Sequence, residues 1–275
     1  MQVKARSGKR RRRKESLSRR WRRWRKRAAG LRRRWRALPA AWRGIAMLTV
    51  ALAVLSAANL VYQVVRKPTE MFFPADSALK KTPAETWREY GGLFRKYATA
   101  TMTPDLLAAL AQVEAAGNPV ARTYWRWRLT WRPFAIYQPA SSAVGMYQMT
   151  DPAFADAQRY CIRDHVVVDH GCWLGSLYSR VFPGDAVELA TVYLQRNVDA
   201  ILGRLRGGSV PLEQRQELAT IVHLCGAGPA EAFARNHFHL VAGDRCGDHQ
   251  AAAYLAKVDR MKRLFRRLAA EQPAL

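Results

Sequence analysis

The stretch "LLAALAQVEAAGNP", residues 106–119, carries one carboxylate, Glu114, at the end of an apolar run, and Gly117-Asn118-Pro119 follow at once. Helical spacing puts Leu107, Leu110, Ala111 and Glu114 on one face, at i, i+3, i+4 and i+7. A carboxyl group there borders either the core or a cleft. Partial desolvation disfavours the charged form and is expected to raise its pKa, as a general acid working near neutrality needs. The alternative is a Glu satisfied by one of the chain's many arginines. A second cluster, "CIRDHVVVDHGC", holds Cys161, His165, His170 and Cys172. Its spacing lacks the paired C-x2-C or H-x3-H arrangement of common zinc sites. With His223, His237, His239 and His249, these histidines show no nucleophile-plus-base pattern and read as surface or packing residues.

The elements that must position Glu114 are helices. "TPAE" at 82–85 is a capping box with Pro at the first helical position, opening a helix to about Tyr97. Thr103-Pro104-Asp105 repeats the signal ahead of the Glu114 helix, and Thr150-Asp151-Pro152 opens another toward Cys161. Further helices are expected over Asp185–Leu205, Leu212–Leu224, Pro229–Arg235 and Asp248–Ala270. The one strand candidate is "ARTYWRWRLTWRPFAIY", residues 121–137, as a hairpin or an ordered loop. The fold class expected is mostly α.

Charge divides the chain. The net charge of +25 looks like that of a nucleic-acid binder, yet residues 1–43 hold twenty Lys and Arg against the single acid Glu15. Arg clusters around Trp21, Trp24, Trp35 and Trp42 suit anionic lipid and membrane orientation, at about 1 kcal/mol per basic group near the surface. Phosphate neutralisation is the competing use, but no nucleic-acid-binding fold is specified. Gly44–Val65 then runs for 22 residues without a charge, about 33 Å of helix, enough to cross a bilayer. The positive-inside rule puts the tail in the cytoplasm and the C-terminal part outside it. A cleaved signal peptide competes, since "LSAAN" offers small residues. Organisation follows as a basic cytoplasmic tail (1–43), a single transmembrane helix (44–66), a juxtamembrane stalk (67–81) and a helical domain (82–270). All four cysteines fall on the exported side, where disulfides form; of three possible pairings, local closure favours Cys161–Cys172 and Cys225–Cys246.

The motif order resembles the soluble lytic transglycosylase family, whose fold is related to goose-type lysozyme. The family pattern is a helix ending in Glu-Ser-x-x-Asn-Pro, a Gly-Leu-Met-Gln segment, an Ala-Tyr-Asn-Ala-Gly-Pro turn and a closing Tyr-Val helix. The counterparts here are Glu114-Ala-Ala-Gly-Asn118-Pro119, Gly145-Met146-Tyr147-Gln148, Cys225-Gly226-Ala227-Gly228-Pro229 and Tyr254-Leu255. The likeness covers about residues 82–268. Three departures stand out: Cys225 and Gly226 replace the Tyr and Asn of the family's turn, Ala115 follows Glu114 in place of Ser, and the stretch between Glu114 and Gly145 is longer.

The resemblance implies cleavage of peptidoglycan between N-acetylmuramic acid and N-acetylglucosamine by a single Glu, without cofactor or metal. Protonated Glu114 would donate to the bridging oxygen; ionised, it would then deprotonate the sugar's own C6 hydroxyl, closing a 1,6-anhydro ring. Gln148 and the main chain around Gly145, with Met146 and Tyr147, are the expected substrate contacts. Ser141 or Ser142 is expected to orient Glu114, and Tyr254 to support the cleft. Tyr124, Trp125, Trp127 and Trp131, with Arg126, Arg128 and Arg132 between them, could wall the groove, aromatic faces against sugar C–H surfaces and arginines against peptide carboxylates; the same residues could simply pack as an insert. The implied partners are glycan strands and the bacterial inner membrane, with the catalytic domain in the periplasm and possible service to a secretion or conjugation apparatus. No specific nucleic acid is expected. A lysozyme-like hydrolase and a non-catalytic wall-binding scaffold are the alternatives.

Overall fold

In the computed structural model the described residues are 32–75, 77–172, 178–205 and 209–271, with Trp21, Arg25, Ala29 and Gly30. Most of the basic tail, including residues 1–20 and Trp24, lies outside them. The chain divides into two compact units, Met1–Val61 and Tyr62–Leu275.

Among the described residues one helix, α1 (Ala40–Arg66), is long and apolar enough to cross a membrane. Eight residues of 3-10 helix, Pro68–Ala75, follow it where a stalk was expected. The second unit is mostly helical: α2 (Pro83–Lys96), α3 (Pro104–Ala115), α4 (Asp151–Ala157), α5 (Pro183–Arg204), α6 (Leu212–Cys225), α7 (Ala227–Arg235) and α8 (Ala251–Glu271). Three two-stranded antiparallel hairpins interrupt them: β1 (Trp125–Trp127) with β2 (Tyr137–Pro139), β3 (Cys161–Arg163) with β4 (Val166–Val168), and β5 (Arg245–Cys246) with β6 (His249–Gln250).

The helix starts follow local chemistry. At α2 the capping box is complete, with the Thr82 N–H donating to Glu85 Oε2 (2.8 Å) and the Glu85 N–H to the Thr82 hydroxyl (3.3 Å). By contrast α4 is shorter than its start signal suggested. A hairpin follows it because Asp164 and His165 take positive φ (47° and 63°), as a two-residue type I′ turn demands. Neither residue is the Gly that usually marks such a turn.

The central helix is α3, packed against α2 and α8. Its residues Leu106–Ala111 are buried all round, as expected of a helix apolar on every face. Each of its buried leucines contributes roughly 1.5–3 kcal/mol. Its N-terminal end is held by polar groups. The Gln216 amide on α6 donates to the Thr101 carbonyl (3.1 Å) and the Thr103 hydroxyl (2.9 Å), while accepting from Lys262 Nζ on α8 (3.1 Å). Lys262 is itself buried, with Asp259 3.2 Å away. Replacing Gln216 with Leu strips an acceptor from a buried ammonium, so Gln216→Leu is expected to destabilise the protein by about 2–3 kcal/mol, read as a lowered denaturation midpoint.

Candidate active site

Glu114 occupies the last turn of α3. The helix stops there because Ala116 takes a left-handed conformation (φ 49°, ψ 43°) and the Gly117 N–H reaches back to the Ala111 carbonyl (3.2 Å). Gly117, at φ +66°, presses on Thr86 of α2, where a Cβ would collide with the Thr86 hydroxyl. The turn therefore fixes how the last carboxylate of α3 is presented.

Two side chains from other helices meet that carboxylate. The Tyr254 hydroxyl on α8 donates to Glu114 Oε1, and His223 Nε2 on α6 lies 3.5 Å from the same oxygen. The Glu114 side chain keeps 18% exposure. No arginine or lysine pairs with it among the described residues. The His249 ring stands edge-on to Tyr254, with ring centres 6.4 Å apart.

The electrostatics correct the expected sign. Burial is the largest single influence on Glu114 and pushes its pKa up, as the sequence suggested. The hydrogen bond and charge of His223, the Tyr254 hydroxyl and the charge of His249 together outweigh it, leaving the carboxyl below its ordinary range. Tyr254 moves the other way: burial, then the charge and hydrogen bond of Glu114, hold its hydroxyl well above 10. It is thus a permanent proton-bearing donor to the carboxylate.

The Gly145–Gln148 segment forms a tight turn. Val144 and Met149 exchange backbone hydrogen bonds (3.2 and 3.1 Å), and the Gln148 N–H donates to the Gly145 carbonyl (3.0 Å). Met146 and Tyr147 are buried in this turn, and Tyr147 also borders the cavity beside Gln148. The Tyr147 hydroxyl donates to the Leu107 carbonyl (3.1 Å), tying the turn to α3 about two helical turns before Glu114. Gln148 keeps an unusual φ of +45°, and its amide donates to the Ala121 and Gly145 carbonyls. Gln148, Thr150, Tyr193, His223 and Gly226 line a cavity of about 210 Å³. Gly145 is required by shape: at φ +82° its Cβ would strike the Arg180 carbonyl oxygen. Gly145→Ala is expected to cost about 2–4 kcal/mol through strain and forced displacement, measured by denaturation of the full chain in detergent.

Ser141 and Ser142 make no hydrogen bond to Glu114 among the described residues. The Ser141 hydroxyl accepts from the Ala143 N–H and the Ser142 hydroxyl from the Asp151 N–H, both 3.1 Å, which serves local turns and the start of α4. The Trp-Arg stretch is the β1–β2 hairpin, with Trp127 opposite Tyr137 and Trp125 opposite Pro139. Its aromatics divide. Trp125 donates its indole N–H to the buried Glu70 (2.6 Å), whereas Tyr124, Trp127 and Trp131 are exposed.

Both cysteine pairs favoured by local closure stand at disulfide separation, Cys161–Cys172 with Cα atoms 5.6 Å apart and Cys225–Cys246 with 5.2 Å. The first takes up the sulfurs of the zinc alternative. The second ties the end of α6, two residues past His223, to β5. Among the described residues no group of three or more His, Cys, Asp and Glu side chains could hold a metal ion.

His223, which reads in the sequence as a surface or packing residue, belongs to the site. A signal existed: Gln216, Thr220 and His223 lie at i, i+4 and i+7 on α6, a polar ridge on a helix whose other inward residues are apolar, and both Gln216 and Thr220 are buried. Glu70 and its hold on Trp125 had no local signal. The chain matches no protein-family model and no curated protein.

Proposed function

We propose that the protein is a membrane-anchored peptidoglycan lytic transglycosylase, with Glu114 as its catalytic acid and base. The observation that carries this reading is a part-exposed carboxylate at the end of a buried helix, addressed by a tyrosine hydroxyl and an imidazole and, among the described residues, by no cation of fixed charge. The motif order that resembles the transglycosylase family adds to it.

In this mechanism the glycan lies over the open face of Glu114. Covering that face removes its remaining water, which adds to the upward push of burial and favours the protonated form. The carboxyl then donates its proton to the bridging oxygen as the glycosidic bond breaks. Charge developing on Glu114 in that step is met by the Tyr254 hydroxyl and by His223. The neighbouring acetamido group stabilises the cationic sugar centre. The carboxylate next takes the proton of the C6 hydroxyl, whose oxygen closes the anhydro ring, so no water enters the product. Gln148 and the Gly145 turn border the adjoining cavity and supply polar contacts to the sugar.

The anchor is α1, with the tail cytoplasmic and the second unit on the exported face. Local opening of the wall for an envelope-spanning secretion or conjugation apparatus would suit such an enzyme.

One observation favours a second reading. An imidazole 3.5 Å from the carboxylate could activate water, which would make the protein a lysozyme-like hydrolase. Digestion of purified sacculi by the full chain in ¹⁸O-labelled water separates the two. Transglycosylation leaves anhydro ends free of label; hydrolysis leaves reducing ends that carry it. A scaffold releases neither.

A further inference from the structure

The strongest unassigned feature lies at the C-terminal end of α1. A cavity of about 470 Å³ there is lined by Arg66, Lys67, Arg126, Arg128 and Arg180, against the single acid Asp151. Two of these cations have partners: Lys67 faces Glu70 (3.4 Å) and Arg180 faces Asp151 (2.7 Å). Arg126 and Arg128 are exposed and have no acidic partner among the described residues. The cavity therefore carries uncompensated positive charge.

Beside it the β1–β2 hairpin ends in apolar side chains that stay exposed among the described residues, although the Trp127 ring stacks on Tyr137 (4.6 Å). Trp127 is 74% exposed, and Leu129 and Trp131 are fully so. A loose loop could hide such residues, but this hairpin is fixed at its base. Glu70 accepts from the Trp125 indole (2.6 Å) and from Arg122 (3.3 Å). The Tyr62 ring, one turn from the end of α1, stacks on Phe134 (4.8 Å), and the Gln63 amide donates to the Phe134 carbonyl (2.7 Å). The hairpin is thus held to the last turn of α1, which is long and apolar enough to span a bilayer.

Exposed tryptophan and leucine interleaved with arginine suit a headgroup layer, where aromatic rings and long basic side chains are both stable. A cation-lined cavity at the same level suits a phosphate. We propose that the β1–β2 hairpin is a second membrane contact, with Trp127, Leu129 and Trp131 seated among the lipid headgroups and the Arg66–Arg126–Arg128 cavity holding the phosphate of an anionic phospholipid. This rests on α1 spanning the bilayer.

The test uses the full chain with Leu129→Cys, a nitroxide on that thiol, and vesicles of phosphatidylcholine with or without phosphatidylglycerol. The described cysteines are all paired, so the label finds one site. Collision rates with oxygen and with a water-soluble nickel chelate report its depth. Headgroup depth in the phosphatidylglycerol vesicles supports the proposal. So does a loss of about thirty-fold in the insertion equilibrium on adding Arg126→Ala and Arg128→Ala, since each basic group contributes about five-fold near an anionic surface. A Leu129 label open to the chelate in both vesicles, while a label at Val54→Cys stays protected, overturns the hairpin contact alone. An open Val54 label overturns the anchor and the proposal with it. Protection of Leu129 by inorganic phosphate, or by soluble peptidoglycan fragments in the absence of anionic lipid, would assign the site to those ligands and overturn the lipid.

Discussion

Glu114→Gln is expected to lower the rate of glycan cleavage by about four orders of magnitude while leaving the fold intact. General acid and general base steps each contribute roughly 10²–10⁴, and the proposed mechanism assigns both to one carboxyl. An amide has almost the same shape and still accepts from Tyr254, so the end of α3 should keep its packing. Far-ultraviolet circular dichroism and the denaturation midpoint of the full chain check this. A rate loss of this size with only a small fall in the midpoint, from the lost carboxylate contacts with His223 and Tyr254, separates chemistry from structure, and an unchanged rate removes Glu114 from the mechanism.

Tyr254→Phe is expected to slow cleavage about 100-fold, the usual cost of deleting one preorganised donor to a developing negative charge. It should also move the pH–rate profile. The Tyr254 hydroxyl lowers the Glu114 pKa, so its loss raises that pKa and shifts the activity limb set by Glu114 protonation to higher pH. His223→Ala should shift the limb the same way, because the hydrogen bond and charge of His223 also pull the carboxyl down. A merely structural role for either residue would alter rate or stability without moving the limb. The sign for stability runs opposite to that for acid function. A carboxyl held below its ordinary 4.5 stabilises the folded state above that pH, and the contribution is lost as pH falls through the folded value.

What was legible in the sequence was mostly local. Thr82 and Glu85 announced the start of α2 because a capping box satisfies its own donors within four residues. Gly117 announced the end of α3 because a left-handed turn needs few residue types. Cysteine pairing followed from short closure. Residues that depend on distant partners were not legible. Tyr254 and Glu114 are 140 positions apart, and only the motif order linked them. His223 looked like any helical histidine until α6 packed across from α3. The sign of the Glu114 pKa shift is illegible for the same reason: burial can be read from the apolar stripe, but the imidazoles opposing it lie on other elements. The β3–β4 hairpin escaped notice because Asp164 and His165 take the conformations usually given to glycine. The motif gives Met146 and Tyr147 as substrate contacts, but their burial depends on the turn between Val144 and Met149, which no local signal announces.

The most direct test sets the full chain and its Glu114→Gln variant side by side on purified sacculi and determines the muramic acid ends by mass spectrometry. With Glu114 as acid and base, the parent releases 1,6-anhydro ends and the variant none. Equal release of those ends by both proteins, or only ordinary reducing ends from the parent, would contradict that assignment.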